Sequence, residues 1–160
     1  MMNVMILCVG KLKEDYLRAA CAEYVKRLGA FCRATVLELD EARLPDKPSQ
    51  AQITAALAEE GKRILSKVPN GAFLVTLCIE GERFTSERLA QSLATAAASG
   101  KSSVVFVIGG SFGLSDEVKS ASALRLSMSD MTFPHQLARV LLLEQVYRAF
   151  SINANNKYHK

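Results

Sequence analysis

The chain's two histidines, His135 and His159, have no carboxylate at a spacing that would complete a nucleophilic triad. Ser111 lies among glycines, but Gly109-Gly110-Ser111-Phe112-Gly113 lacks the GxSxG elbow that exposes a nucleophilic serine, so a hydrolase is not expected. Nor do these glycines form the GxGxxG dinucleotide fingerprint. They follow the fourth expected strand rather than the first, which argues against a nicotinamide site. What they offer is exposed backbone that a ligand can approach closely, the alternative being a plain strand-to-helix turn. The four cysteines (Cys8, Cys21, Cys32, Cys78) include no CxxC pair and have no histidine nearby, so no metal site is expected. Cys78 falls in an apolar strand and reads as a buried, unreactive thiol.

Other polar candidates lie in the last quarter. His135 opens the final helix and could serve as a cap or packing residue; Arg139 and Arg148 could pair with Glu144 or face solvent. Residues 118–160 carry six Lys and Arg against two Asp and Glu, whereas residues 1–117 are balanced at 14 each, so the whole net charge of +4 belongs to this quarter. That is a mild sign of a polyanionic partner.

The elements that must position these groups follow from composition and periodicity. With 49% apolar and 22% charged residues, the 160-residue chain is an ordinary globular sequence, read as a single domain over 1–160. A domain of this size buries roughly 70% of its unfolded surface and needs no staple. The opening MMNVMILCVG has no preceding basic residues and no small-residue cleavage site after it, so it reads as a strand, not a signal peptide. No stretch reaches the ~18 apolar residues of a membrane span, and a cytoplasmic location with reduced thiols is the expectation.

Asn3 to Val9 reads as a buried strand, followed by a helix with Leu17, Cys21, Tyr24 and Leu28 at helical spacing. Ala34 to Leu39 is a second strand, leading into a loop with Pro45 and Pro48. Ser49 and Gln52 form a capping box for a helix to about Leu65. A third strand, Ala72 to Ile79, is expected to close in a Glu80-Gly81-Glu82 turn, before a helix capped by Ser86. Val104 to Ile108 is the fourth strand, Ser115 caps a short helix, Leu124 to Ser127 is the fifth strand, and Pro134 suits the first position of a long helix to about Ile152. Continuous apolar strands alternating with helices predict an α/β fold, a mostly parallel sheet with helices on both faces.

The last helix is apolar around its circumference rather than along one stripe: Leu137, Val140, Leu141, Leu142, Leu143, Val146, Tyr147 and Phe150 surround it. One face then packs on the sheet and another on a second subunit, so a homodimer is expected. In a parallel sheet ligands bind beyond the carboxyl ends of the strands, which nominates Leu77–Gly81, Gly109–Gly113 and Met128–Phe133.

The segment MTFPHQLARVLLLEQVYRAF with the terminal KYHK, together with FVIGGSFGL, LSMSDMTFPHQ and the opening VGKLKEDY, resembles the small SPOUT-class methyltransferases of the RlmH family across essentially the whole chain. That resemblance implies a homodimeric α/β fold with a C-terminal trefoil knot. It implies an enzyme that uses S-adenosylmethionine to methylate N3 of a pseudouridine, position 1915 in helix 69 of large-subunit (23S) ribosomal RNA, with the ribosome as its partner and no metal. Donor-binding positions carried over are Leu77, Gly109, Met128, Ser129, Asp130, Met131, Thr132 and Phe133. An acidic residue is common among relatives where this chain has Cys78. The resemblance also gives the terminal tail a part in completing the active site. On that basis we choose His159 as proton acceptor, Tyr158 to stack on or position the base, and Lys160 and Arg139 for phosphate, with His135 as a further catalytic candidate.

Those assignments agree with the chemistry. Adenine is held by backbone hydrogen bonds and apolar walls, and methyl transfer from a sulfonium requires alignment with the acceptor nitrogen and removal of its proton. Two rival readings are a catalytically silent ribosome-binding factor and a knotted methyltransferase acting on transfer RNA. A net charge of only +4 favours a large preassembled target over free RNA.

Overall fold

A computed structural model describes residues 1–159; Lys160, expected at phosphate, lies outside the described residues. The chain alternates β1 (Asn3–Val9), α1 (Asp15–Leu28), β2 (Arg33–Leu39), α2 (Gln50–Lys67), β3 (Phe73–Arg83), α3 (Ser86–Ala98), β4 (Ser103–Ile108), α4 (Asp116–Ala121), β5 (Leu124–Ser127) and α5 (His135–Asn153). All strand pairings are parallel, in the order β2-β1-β4-β3-β5.

Alternate residues of the central strands enter two separate cores, as the pleat requires. Ile6, Val75, Val104 and Phe106 face α1, α3 and α5, represented by Leu17, Leu93, Leu142 and Val146. Leu7, Leu74, Val105 and Val107 face α2 and α4, through Ile64 and Val118. The sheet is therefore covered on both faces, which is why its strands read as unbroken apolar runs.

Local signals set the helix starts. Ser49 and Gln52 form the reciprocal capping box, and Ser115 Oγ accepts from the Val118 N–H at 3.3 Å. At α3 the cap is Thr85, not the expected Ser86: Thr85 Oγ1 accepts from Arg88 N–H at 3.1 Å, which frees Ser86 Oγ to donate to Gln145 Oε1 of α5 at 2.6 Å. Pro134 stands one position earlier than expected, as the N-cap of α5.

The expected turn at Glu80-Gly81-Glu82 is instead a continuation of β3. The register against β5 shifts between Leu77 and Glu82, so the intervening residues bulge away from β5 and the strand resumes pairing beyond them. A bulge reads like a turn in sequence, because both need a glycine and break the apolar run.

Candidate active site

β4, β3 and β5 are neighbours running in one direction, so the loops after them emerge side by side at one edge of the sheet. They enclose a cavity of about 470 Å³, within the ordinary range for small-molecule sites. Of the eight positions expected to hold the donor, seven line it: Leu77 at the β3 bulge, Gly109 after β4, and Met128, Ser129, Met131, Thr132 and Phe133 after β5. Asp130 does not. Its carboxylate turns outward to Arg83, 2.5 Å away. Ile108, Leu126, Ser127 and Ala138 also line the cavity and were not singled out in the sequence, where they read as strand and helix interior.

Hydrogen bonds shape the loop after β5. Ser127 Oγ donates to the Ser129 carbonyl at 3.1 Å, and Ser129 Oγ accepts from the Met131 N–H at 3.0 Å. The serines are thus spent on the loop's own geometry, leaving Met128, Met131 and Phe133 as its apolar contribution to the cavity wall. Gly109 needs to be glycine for a reason other than ligand access. A Cβ there would lie 2.4 Å from the Gly113 carbonyl oxygen, so the space is already filled by the returning loop. Cys78 also lines the cavity, as a buried free thiol 3.5 Å from Thr76 Oγ1.

His135 sits at the cavity wall in the first turn of α5, half-buried. Arg139 lies one turn further on and is not at this cavity. It is only 3% exposed, with Nη1 donating to Glu38 Oε2 at 2.6 Å and Nη2 to the Gly10 carbonyl at 3.2 Å. The expected phosphate contact is therefore corrected: a buried guanidinium held by a carboxylate cannot reach an RNA backbone. Burial acts to raise the Glu38 carboxyl. The hydrogen bonds from Arg139 and the Leu12 N–H outweigh it and hold the group below its ordinary value.

The tail folds back onto the other end of α5. Tyr158 packs edge-on against Tyr147, with ring centroids 4.8 Å apart, and its hydroxyl donates to Glu144 Oε1 at 3.3 Å. Burial, with the neighbouring Tyr24 and Glu144, pushes that hydroxyl up to about 12, so Tyr158 is a donor and a packing surface, not a base. His159 Nδ1 lies 3.2 Å from Arg148 Nη1 and its Nε2 lies 2.7 Å from Glu87 Oε1. With arginine donating to Nδ1, the ring proton sits on Nε2. Arg148 itself pairs with Glu144, as one sequence alternative had it. Thirteen residues of helix separate His135 from Arg148, about 20 Å along the axis. Within the chain the structure thus brings His135 to the cavity and leaves Tyr158 and His159 distant from it.

The cavity's lining is of the kind that the methyl donor implied by the resemblance requires. Leu77, Met128, Met131 and Phe133 supply apolar walls for an adenine and a thioether-like tail, and the bulge and the glycine turn present backbone groups at the cavity. Among the described residues no group of three or more His, Cys, Asp or Glu could hold a metal ion, and no helix is long and apolar enough to cross a membrane.

Residues 2–159 match the family described as "Predicted SPOUT methyltransferase". The chain is 50% identical over 159 residues to the "Ribosomal RNA large subunit methyltransferase H" of Bacillus thuringiensis (strain Al Hakam), covering 99% of this chain and 100% of that protein. It is 45% identical, with the same coverage, to the protein of the same name from Clostridioides difficile (strain 630). The solved structure of a probable methylase family protein from Haemophilus influenzae Rd KW20 superposes with a TM-score of 0.55 at 14% identity, over 99% of this chain and 71% of that one, a likeness of fold. Matched from its second residue to its last described one, the chain belongs to the SPOUT methyltransferase family.

Proposed function

We propose that the protein methylates N3 of the pseudouridine at position 1915, in helix 69 of large-subunit ribosomal RNA, using S-adenosylmethionine, and that it works in the cytoplasm as a homodimer on the ribosome. The observation that carries this reading is the apolar cavity at the ends of β4, β3 and β5, in a chain about half identical to relatives named as large-subunit ribosomal RNA methyltransferases. The C-terminal knot is taken with the family.

When bound, S-adenosylmethionine supplies an electrophilic methyl group on a sulfonium. Leu77, Met128, Met131 and Phe133 hold the donor and exclude water, and Gly109, Gly110, Ser111 and Gly113 set one wall. His135, at the cavity wall, is placed to orient the incoming base. The acceptor N3 carries a proton that must leave as the methyl arrives, and His159 is the group assigned to take it. Because Tyr158 and His159 lie at the opposite end of α5 from their own cavity, they serve the cavity of a second copy. In the protomer both His159 ring nitrogens are engaged, and its one acceptor, Nδ1, faces Arg148, so the imidazole must release Arg148 before accepting a proton.

Mass spectrometry of ribosomal RNA from cells with and without the protein tests substrate and reaction together. Loss of N3-methylpseudouridine from helix 69 is expected in its absence; an unchanged methylation pattern overturns the reading. Calorimetric binding of S-adenosylmethionine separates an enzyme from a silent ribosome-binding factor, and methylation of transfer RNA in place of ribosomes would move the substrate.

A further inference from the structure

The turn that walls the donor cavity also borders a second one. Gly113 N–H donates to the Gly110 carbonyl at 3.1 Å, and the two glycines bridge as a minimal antiparallel pair, leaving Ser111 and Phe112 as the two central residues of a tight turn. Ser111 lines both cavities. The second, about 340 Å³, has apolar walls from Leu44 and from Ile53, Ala56 and Leu57 of α2, with Phe112 at its turn side.

Phe112 belongs to neither hydrophobic core and is 50% exposed. A large aromatic held in water on a tight turn contributes little to folding. Half exposed and lining the cavity, its ring can stack on a planar ligand.

Three charged groups line this cavity. Glu60 is buried, its Oε2 accepting the Ala42 N–H at 2.8 Å. Glu41 Oε1 lies against Gly10 and Gly110, close enough that a Cβ on Gly110 would be 2.7 Å from it. Arg43 lines the cavity as an exposed side chain, with no hydrogen bond or ion pair among the described residues. Carboxylates repel a phosphate but accept from the amino and imino edges of a base, whereas an unengaged guanidinium suits the phosphodiester attached to it. Apolar walls, a stacking face, acceptors and one unengaged cation together describe a nucleotide entering base-first.

We propose that this cavity receives a second unpaired nucleobase of the RNA substrate, stacked on Phe112, with Arg43 at its phosphate. The proposal rests on the ribosomal RNA reading above and adds a determinant of substrate affinity separate from the donor cavity. Its position one turn away from that cavity suits a base flanking the one to be methylated.

The test is Phe112→Ala beside Phe112→Trp. The alanine variant is expected to raise KM for ribosomes roughly 5- to 100-fold, the cost of losing one stacked base, with kcat, S-adenosylmethionine affinity and oligomeric state unchanged. Phe112→Trp is expected to retain the wild-type KM. An unchanged KM in Phe112→Ala, or a KM defect accompanied by lost donor affinity or lost dimer, overturns the proposal. The chain contains no other tryptophan, so Phe112→Trp also places a single fluorophore at the site. Its quenching by an unpaired RNA oligonucleotide, titrated to the high concentrations that weak binding of free RNA requires, against none by a duplex of the same composition, is expected whether or not methylation is measured; no quenching across that range overturns the proposal. A wild-type protein that methylates no ribosome would defeat the functional reading instead, and the fluorescence result would still decide this one.

Discussion

Arg139 and Glu38, 101 residues apart in sequence, form a 2.6 Å ion pair that fastens the start of α5 to the end of β2. The same carboxylate oxygen accepts the Leu12 N–H, and the same guanidinium donates to the Gly10 carbonyl. One pair thus ties together the segment after β1, the end of β2 and the helix whose first turn carries His135.

Breaking that pair leaves a buried cation. Glu38→Gln is expected to destabilise the fold by about 3 kcal/mol at pH 7, the low end for a broken buried pair because Glu38 keeps some solvent contact. Since the folded-state carboxyl is held below its ordinary value of 4.5, its contribution is complete above that pH and is lost as pH falls through the lower, folded value. Urea unfolding should show wild type and Glu38→Gln differing at pH 7, with the difference narrowing as pH falls below 4.5. A constant difference across that range would remove the linkage.

The position of the tail predicts complementation between subunits. Deleting residues 158–160 should leave S-adenosylmethionine affinity unchanged and lower methyl transfer by at least about 100-fold, as for loss of an acid–base group. Mixing this variant with one carrying a disabled donor cavity should restore activity, because some mixed dimers pair an intact cavity with an intact tail. If mixtures stay inactive, the tail does not act across a dimer.

Gly109 separates loop geometry from ligand contact. Even Gly109→Ala puts a Cβ 2.4 Å from the Gly113 carbonyl oxygen, so the turn must shift at a cost of about 1–3 kcal/mol, and donor affinity should fall with it. Met131 is the cleaner probe, being 76% exposed and yet lining the cavity. Met131→Ala should weaken donor binding about tenfold, near 1.4 kcal/mol, without lowering Tm. Calorimetry and thermal unfolding on both variants would show whether the two effects separate.

Dimer formation should depend on the outward side of α5. Leu142 is fully buried against the protomer's own sheet, so Leu142→Glu is expected to unfold the chain, whereas Leu137 is 41% exposed. Leu137→Glu should therefore give folded monomers by light scattering, with circular dichroism unchanged. A folded Leu137→Glu dimer would place the interface elsewhere.

The order of elements, the parallel sheet covered on both faces and the three strand-end loops were legible in the sequence, because each depends on short-range rules: apolar runs, capping residues and helical spacing. The long, specific match from VGKLKEDY to KYHK likewise carried the family. Partnerships were not legible. Arg139 appeared equally able to pair with Glu144 or face solvent, and only the packing of α5 against α1 and α3 brought it to Glu38. Asp130 and Met131 are adjacent in one loop, yet the turn sends one outward to Arg83 and the other to the cavity. Glycines at 81 and 109 announced tight backbone; whether each served a turn, a bulge or a close carbonyl depended on strand register and on the path of the returning loop. The sequence determined which residues were available and on which element each lay. Tertiary structure decided which of them meet, because contacts between residues a hundred positions apart are set by how whole elements pack, a quantity that no local pattern encodes.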